Sequence, residues 1–123
     1  MRCSVGIDLV NAGEVRESVH AHGERYLNRI YTEQERALCC ENEVLLATCF
    51  AAKEATMKAL GRGDEGLGWQ SVALTANSAG GISLKLSGAA ADLAKQRGVA
   101  ELSVSVTRTR THAGAVVLAR LKR

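Results

Sequence analysis

From Cys3 to Val10 the chain alternates. Val5, Ile7 and Leu9 fall on one side and Gly6, Asp8 and Val10 on the other, which predicts a strand with an acid near its end. Asn11 can cap a helix running to about His22 and closed by Gly23. Arg25 to Ile30 reads as a short helical piece. Thr32-Glu-Gln-Glu35 is a capping box, opening a helix that holds Arg36 to about Glu41. Leu45 to Leu60 is the long helix. One stripe carries Leu46, Phe50, Met57 and Leu60, and its neighbour carries Leu45, Cys49, Ala52 and Ala59. Gly61 ends it, and Gly63, Gly66 and Gly68 predict a loop. Val72–Leu74 and Ile82–Leu86 alternate around Asn-Ser-Ala-Gly-Gly, a hairpin signal. Ser87 to Arg97 is a helix stopped by Gly98. Leu102–Val106 and Ala113–Ala119 are strands joined by a polar turn, Thr-Arg-Thr-Arg-Thr-His. The expected class is α+β: one domain over residues 1–123, with the long helix packed on a largely antiparallel sheet.

Composition narrows the function. The 123 residues can bury an independent core. Aromatic residues are only 3%, so stacking platforms for single-stranded nucleic acid are not expected. A net charge of +3, from 16 basic and 13 acidic residues, suits an anionic ligand or an acidic partner without requiring nucleic acid. No apolar run is long enough to cross a bilayer, and the first residues lack the features of a signal peptide, so the cytoplasm is expected. Cys3, Cys39, Cys40 and Cys49 form neither a CxxC pair nor a zinc spacing. They are read as reduced thiols, mostly buried, and the adjacent Cys39-Cys40 is a poor structural disulfide.

The chemistry lies in Phe50–Gly61, Phe-Ala-Ala-Lys-Glu-Ala-Thr-Met-Lys-Ala-Leu-Gly. Glu54 and Lys58 are four apart and share a helix face, and alone they would make a solvated ion pair of about 0.2–0.5 kcal/mol. Asp8 changes the weighing, because an acid inside a short apolar strand is costly unless paired, metal-bound or at the strand's mouth. A strand Asp and a helix Glu can supply two hard oxygen ligands. Mg²⁺ takes one or two protein carboxylates and fills its remaining positions with water and phosphate oxygens. Lys58 would then face a phosphate.

Val5–Val10 (VGIDLV), Gly23–Glu35 (GERYLNRIYTEQE), Phe50–Gly63 (FAAKEATMKALGRG) and Gly66–Trp69 (GLGW), in this order, resemble the holo-[acyl-carrier-protein] synthases, the small single-domain members of the 4′-phosphopantetheinyl transferase family. The late GVAELSVSVTRTRTHAGAVV stretch extends the resemblance over nearly the whole chain. It implies transfer of the 4′-phosphopantetheine arm from coenzyme A to a serine of apo acyl carrier protein, releasing adenosine 3′,5′-bisphosphate. It also implies Asp8 and Glu54 as Mg²⁺ ligands and Lys58 as the active-site lysine. Phe50, Lys58, Gly61, Arg108 and Thr109 stand where coenzyme A is held, Arg25 and Arg29 where the acidic carrier docks. Charge accumulating on the attacked phosphoryl group explains why a metal and a cation are needed there. Asp8, or a water it orients, is the candidate base for the serine proton. A homotrimer with active sites between subunits is the implied assembly.

The chain departs from the family pattern at four places. Glu14 stands where an arginine is usual on the carrier-facing helix, with Arg16 two residues on. Cys49 replaces an arginine associated with coenzyme A phosphate, which Arg62 or Arg36 could replace. Ile82 stands where a proline is common. Ser105-Val-Thr-Arg108 replaces S-x-S-H, with Arg108 and Arg110 keeping cations near the donor's phosphates. These departures define the alternative: a binding module that keeps the fold and docks a carrier or coenzyme A without transfer. His20 and His22 are read as surface residues, His112 as a strand-edge residue, Trp69 as a core anchor, and Arg120, Lys122 and Arg123 as a solvated end.

Overall fold

A computed structural model of the chain describes residues 2–61 and 67–122. The expected Gly63 and Gly66 of the loop, and Arg62 and Arg123, lie outside these residues.

The first strand, β1 (Arg2–Asn11), leads into α1 (Ala12–His22), where the Asn11 side chain accepts from Gly13 N. Next come α2 (Glu24–Ile30) and α3 (Glu33–Cys39). The capping box at α3 forms in full: Thr32 Oγ1 accepts from Glu35 N, and Glu35 Oε1 from Thr32 N. The helix stops at Cys39 because Cys40 turns left-handed, with φ 48°. The long helix, α4 (Glu43–Ala59), starts two residues earlier than the periodicity predicts. Asn42 is the reason, since its carboxamide oxygen accepts from both Val44 N and Leu45 N. Gly61, at φ 77°, ends that helix in the region glycine tolerates. A 3₁₀ turn (Trp69–Ser71) precedes the hairpin β2 (Val72–Ala76) and β3 (Ile82–Leu86); α5 (Gly88–Gln96), β4 (Val99–Arg108) and β5 (His112–Leu121) complete the order.

Strand pairing is antiparallel throughout the described residues, but the strands form two sheets where one was expected. Three strands run in the order β1-β5-β4, and β2-β3 is a separate ribbon. The two sheets flank α4, which accounts for its burial on almost every side, Leu46 to Cys49, Ala51 to Lys53 and Ala55 to Met57 included. One core lies between α4, β1 and β5. A second, built from Met57, Leu60, Leu67, Val72, Ala90, Leu93 and Ala94, lies under the ribbon and α5.

The alanines of α4 let the sheet come very close. A Cβ at Gly6 would collide with the carbonyl oxygen of Ala55, so only glycine fits there. Ser4 Oγ donates to Ala59 O at 2.7 Å. The inward face of β1 is therefore Gly6, Asp8 and Val10. Val5, Ile7 and Leu9 point outward and stay 53%, 61% and 73% exposed. Beside them on β5, Val116 opposes Ile7 and Leu118 opposes Val5, making one apolar patch.

Candidate active site

Strand β1 and helix α4 run antiparallel, with residue 4 beside residue 59 and residue 6 beside residues 55 and 59. Two further residues of strand advance about 7 Å, equal to about four or five residues of helix rise. Asp8 therefore comes level with the turn that carries Glu54. Lys58 reaches across to it: Nζ lies 3.0 Å from Asp8 Oδ1 and donates to the carbonyl oxygen of Ile7 at 3.0 Å. The Asp8 side chain keeps 15% of its surface in solvent and that of Lys58 53%, so the contact is reached from solvent. Glu54 is half-buried, one turn before Lys58 on the same face. Phe50, one turn earlier still, stacks on Trp69 with ring centroids 4.9 Å apart. Trp69 is thus half-buried beside Phe50 as well as against both cores.

Lys53, next to Glu54, points the opposite way, into the interior. Its Nζ lies 2.7 Å from Glu35 Oε1 and donates to the carbonyls of Trp69 (3.1 Å) and Val72 (2.6 Å). Glu35 Oε2 accepts from Leu74 N. Both side chains are fully buried. Burial pulls the Lys53 ammonium below the ordinary lysine range, and Glu35 opposes that pull. The pair clamps α3, the 3₁₀ turn and β2 around the segment that presents Glu54.

Arg108 and Thr109 lie elsewhere. With Asn42, Val44, Leu45 and Arg110 they line an open groove of about 530 Å³ beside the first turn of α4. Leu45 and Lys58 are thirteen residues apart, about 20 Å along the helix. The groove and the Asp8–Lys58 contact thus occupy opposite ends of α4. Arg25 and Arg29 sit on exposed positions of α2 and, with His22 and Tyr26, line a small cavity of about 150 Å³. Among the described residues, no three His, Cys, Asp or Glu side chains converge as a metal cage. A site of two carboxylates fits magnesium, which keeps waters and phosphate oxygens in its shell.

A model of the 4′-phosphopantetheinyl transferase superfamily matches residues 4–117. The chain belongs to that superfamily. It is 36% identical to a holo-[acyl-carrier-protein] synthase of Desulforudis audaxviator, over 97% of this chain and 93% of that one. It is 37% identical to one of Moorella thermoacetica, over 92% and 90%. Among solved structures, the Helicobacter pylori holo-[acyl-carrier-protein] synthase in complex with coenzyme A superposes with a TM-score of 0.85 at 26% identity, covering 94% of this chain and 99% of that one.

Two of the four departures have local explanations. Glu14 lies in the first turn of α1, where a carboxylate complements the helix dipole. Arg16 is held by Glu43 at 3.3 Å. Cys49 is buried against Cys39. Arg36, one candidate to replace the missing arginine, is engaged by Glu24 at 2.8 Å and by Asn28. Of the four cysteines only Cys39 and Cys49 are buried; Cys3 and Cys40 are exposed, because Cys3 lies on the outer face of β1 and Cys40 in the turn after α3. Two groups went unnoticed in the sequence: the buried Glu35–Lys53 pair, and Arg97, whose guanidinium covers the backbone of Gly61. A lysine enclosed by four alanines was the available sign of the first; a contact thirty-six residues away gave no sign of the second.

Proposed function

We propose that this transferase superfamily member is a holo-[acyl-carrier-protein] synthase. It moves the 4′-phosphopantetheine arm of coenzyme A onto a serine hydroxyl of an apo acyl carrier protein and releases adenosine 3′,5′-bisphosphate. The observation that carries the reading is the meeting of Asp8 and Lys58 beside the Glu54 turn. Asp8 accepts the serine proton as the oxygen attacks the phosphoryl group. Lys58 moves from Asp8 to the charge that builds on the phosphate oxygens. Asp8 and Glu54 would hold the magnesium ion, which when bound supplies neutralising charge to the diphosphate. Phe50 and Gly61 border the path of the arm, and Arg25 and Arg29 offer positive charge to an acidic carrier, which sets encounter rate and salt dependence. The cytoplasm suits a chain whose four cysteines are all free thiols.

The working form in this reading is a homotrimer. Its support is the outward apolar patch of Val5, Ile7, Leu9, Val116 and Leu118. A neighbouring chain packed there would bring its Arg108–Thr109 groove to the Asp8 end of the first, joining two half-sites that one chain keeps apart. Ile7→Lys is expected to yield monomers by light scattering and to lower transfer at least about tenfold, with far-ultraviolet circular dichroism unchanged. A fully active trimeric variant would oppose the assembly.

The activity test uses intact mass. With coenzyme A and Mg²⁺, one phosphopantetheine is expected on an apo carrier. No addition across a panel of fatty-acid and polyketide carriers would favour the binding-module alternative.

A further inference from the structure

Cys39 ends α3 and Cys49 lies in the second turn of α4, and their Sγ atoms are 3.5 Å apart. Both are buried, at 2% and 4% exposure. We propose that Cys39 and Cys49 form a redox-modification site, closed by a peroxide into a disulfide that staples α3 to α4 and reopened by a dithiol.

Three features carry this beyond two thiols in contact. First, the distance to be closed is small: a disulfide is about 2.0 Å long, so the sulfurs, 3.5 Å apart, need to approach by only about 1.5 Å. Second, a hydrogen bond links the two thiols, and either sulfur can donate it. Whichever accepts is the better stabilised as thiolate and attacks, and the donor resolves. Third, the turn between them offers an entrance. Cys40 and Glu41 are both left-handed without being glycine, with φ 48° and 60°, a costly conformation that favours local opening.

The step balances. One thiolate attacks a peroxide oxygen; the O–O bond breaks, leaving a sulfenic acid and hydroxide, which takes up the proton that the attacking thiol lost. The other sulfur then attacks the sulfenic sulfur. The S–O bond breaks, and water leaves with the second thiol's proton. Two thiols lose two electrons and hydrogen peroxide becomes two waters.

The site is independent of the transfer chemistry, so its test needs no substrate. A Cys3→Ser/Cys40→Ser variant of the full chain leaves only the buried pair. Hydrogen peroxide is expected to lower its intact mass by two hydrogens, peptide mapping should join residues 39 and 49, and dithiothreitol should restore the parent mass. The oxidised form should melt at least about 5 °C higher, because the bond restricts the unfolded chain. The wild-type chain, mapped in parallel, should give the same 39–49 bond if the double variant fails to fold. Peroxide that only adds oxygen, or joins Cys3 or Cys40, while Cys39 and Cys49 remain alkylatable on unfolding, would overturn the proposal.

Discussion

Glu54→Ala is expected to abolish phosphopantetheine transfer, lowering the rate by on the order of 10²–10³-fold, the cost of removing one group that stabilises transition-state charge. The fold and the assembly should survive. Glu54 is half-buried, and the helix around it is anchored by residues on its other faces: Ala51, Ala55 and Ala59 toward the sheet, Lys53 and Met57 toward the ribbon. Intact-mass transfer assays beside thermal melts read both quantities. Near-parental transfer would remove Glu54 from the machinery. A loss of activity that merely tracks a loss of folded protein would assign it to the scaffold instead.

The largest effect on stability is expected at the neighbouring residue. Lys53→Met keeps the aliphatic volume but removes the ammonium, leaving Glu35 as a fully buried carboxylate and the carbonyls of Trp69 and Val72 without their donor. Breaking one half of a buried pair costs about 3–5 kcal/mol, a large share of the roughly 5–15 kcal/mol that holds a domain together. Urea denaturation measures it. Adding Glu35→Gln should recover part of the loss, because the neutral amide no longer strands a charge while its oxygen still accepts one backbone N–H. A single variant within about 1 kcal/mol of the parent would contradict the clamp.

How much of this was legible depends on where the signals were local. Thr32 and Glu35 announced a capping box that forms as expected, and Gly61 announced the end of the long helix. The alternation in β1 was plain, but alternation does not say which side is inward. Only the collision that any side chain at Gly6 would make shows that the small side of the strand faces α4, leaving Val5, Ile7 and Leu9 outside. The same close approach makes α4 rich in alanine. The division of five strands into two sheets was not legible, because hydrophobic spacing does not encode pairing partners. Asp8, Glu54 and Lys58 were readable as a motif, and the geometry adds the Lys58–Asp8 contact. Arg108 and Thr109 were assigned with them, yet they lie at the far end of α4, a separation that no linear pattern within one chain reveals.

The middle strand of the main sheet is β5, which follows every other element in the chain, while one of its two partners is β1, the first. During synthesis, then, β1 and β4 have nothing to bridge them until His112–Leu121 has left the ribosome, and the loop closed by Arg2 and Leu121 takes in every other element of the fold. A nascent chain halted before that point would carry β1 with the backbone edge that pairs with β5 unsatisfied, an open template for pairing with another chain that His112–Leu121 closes.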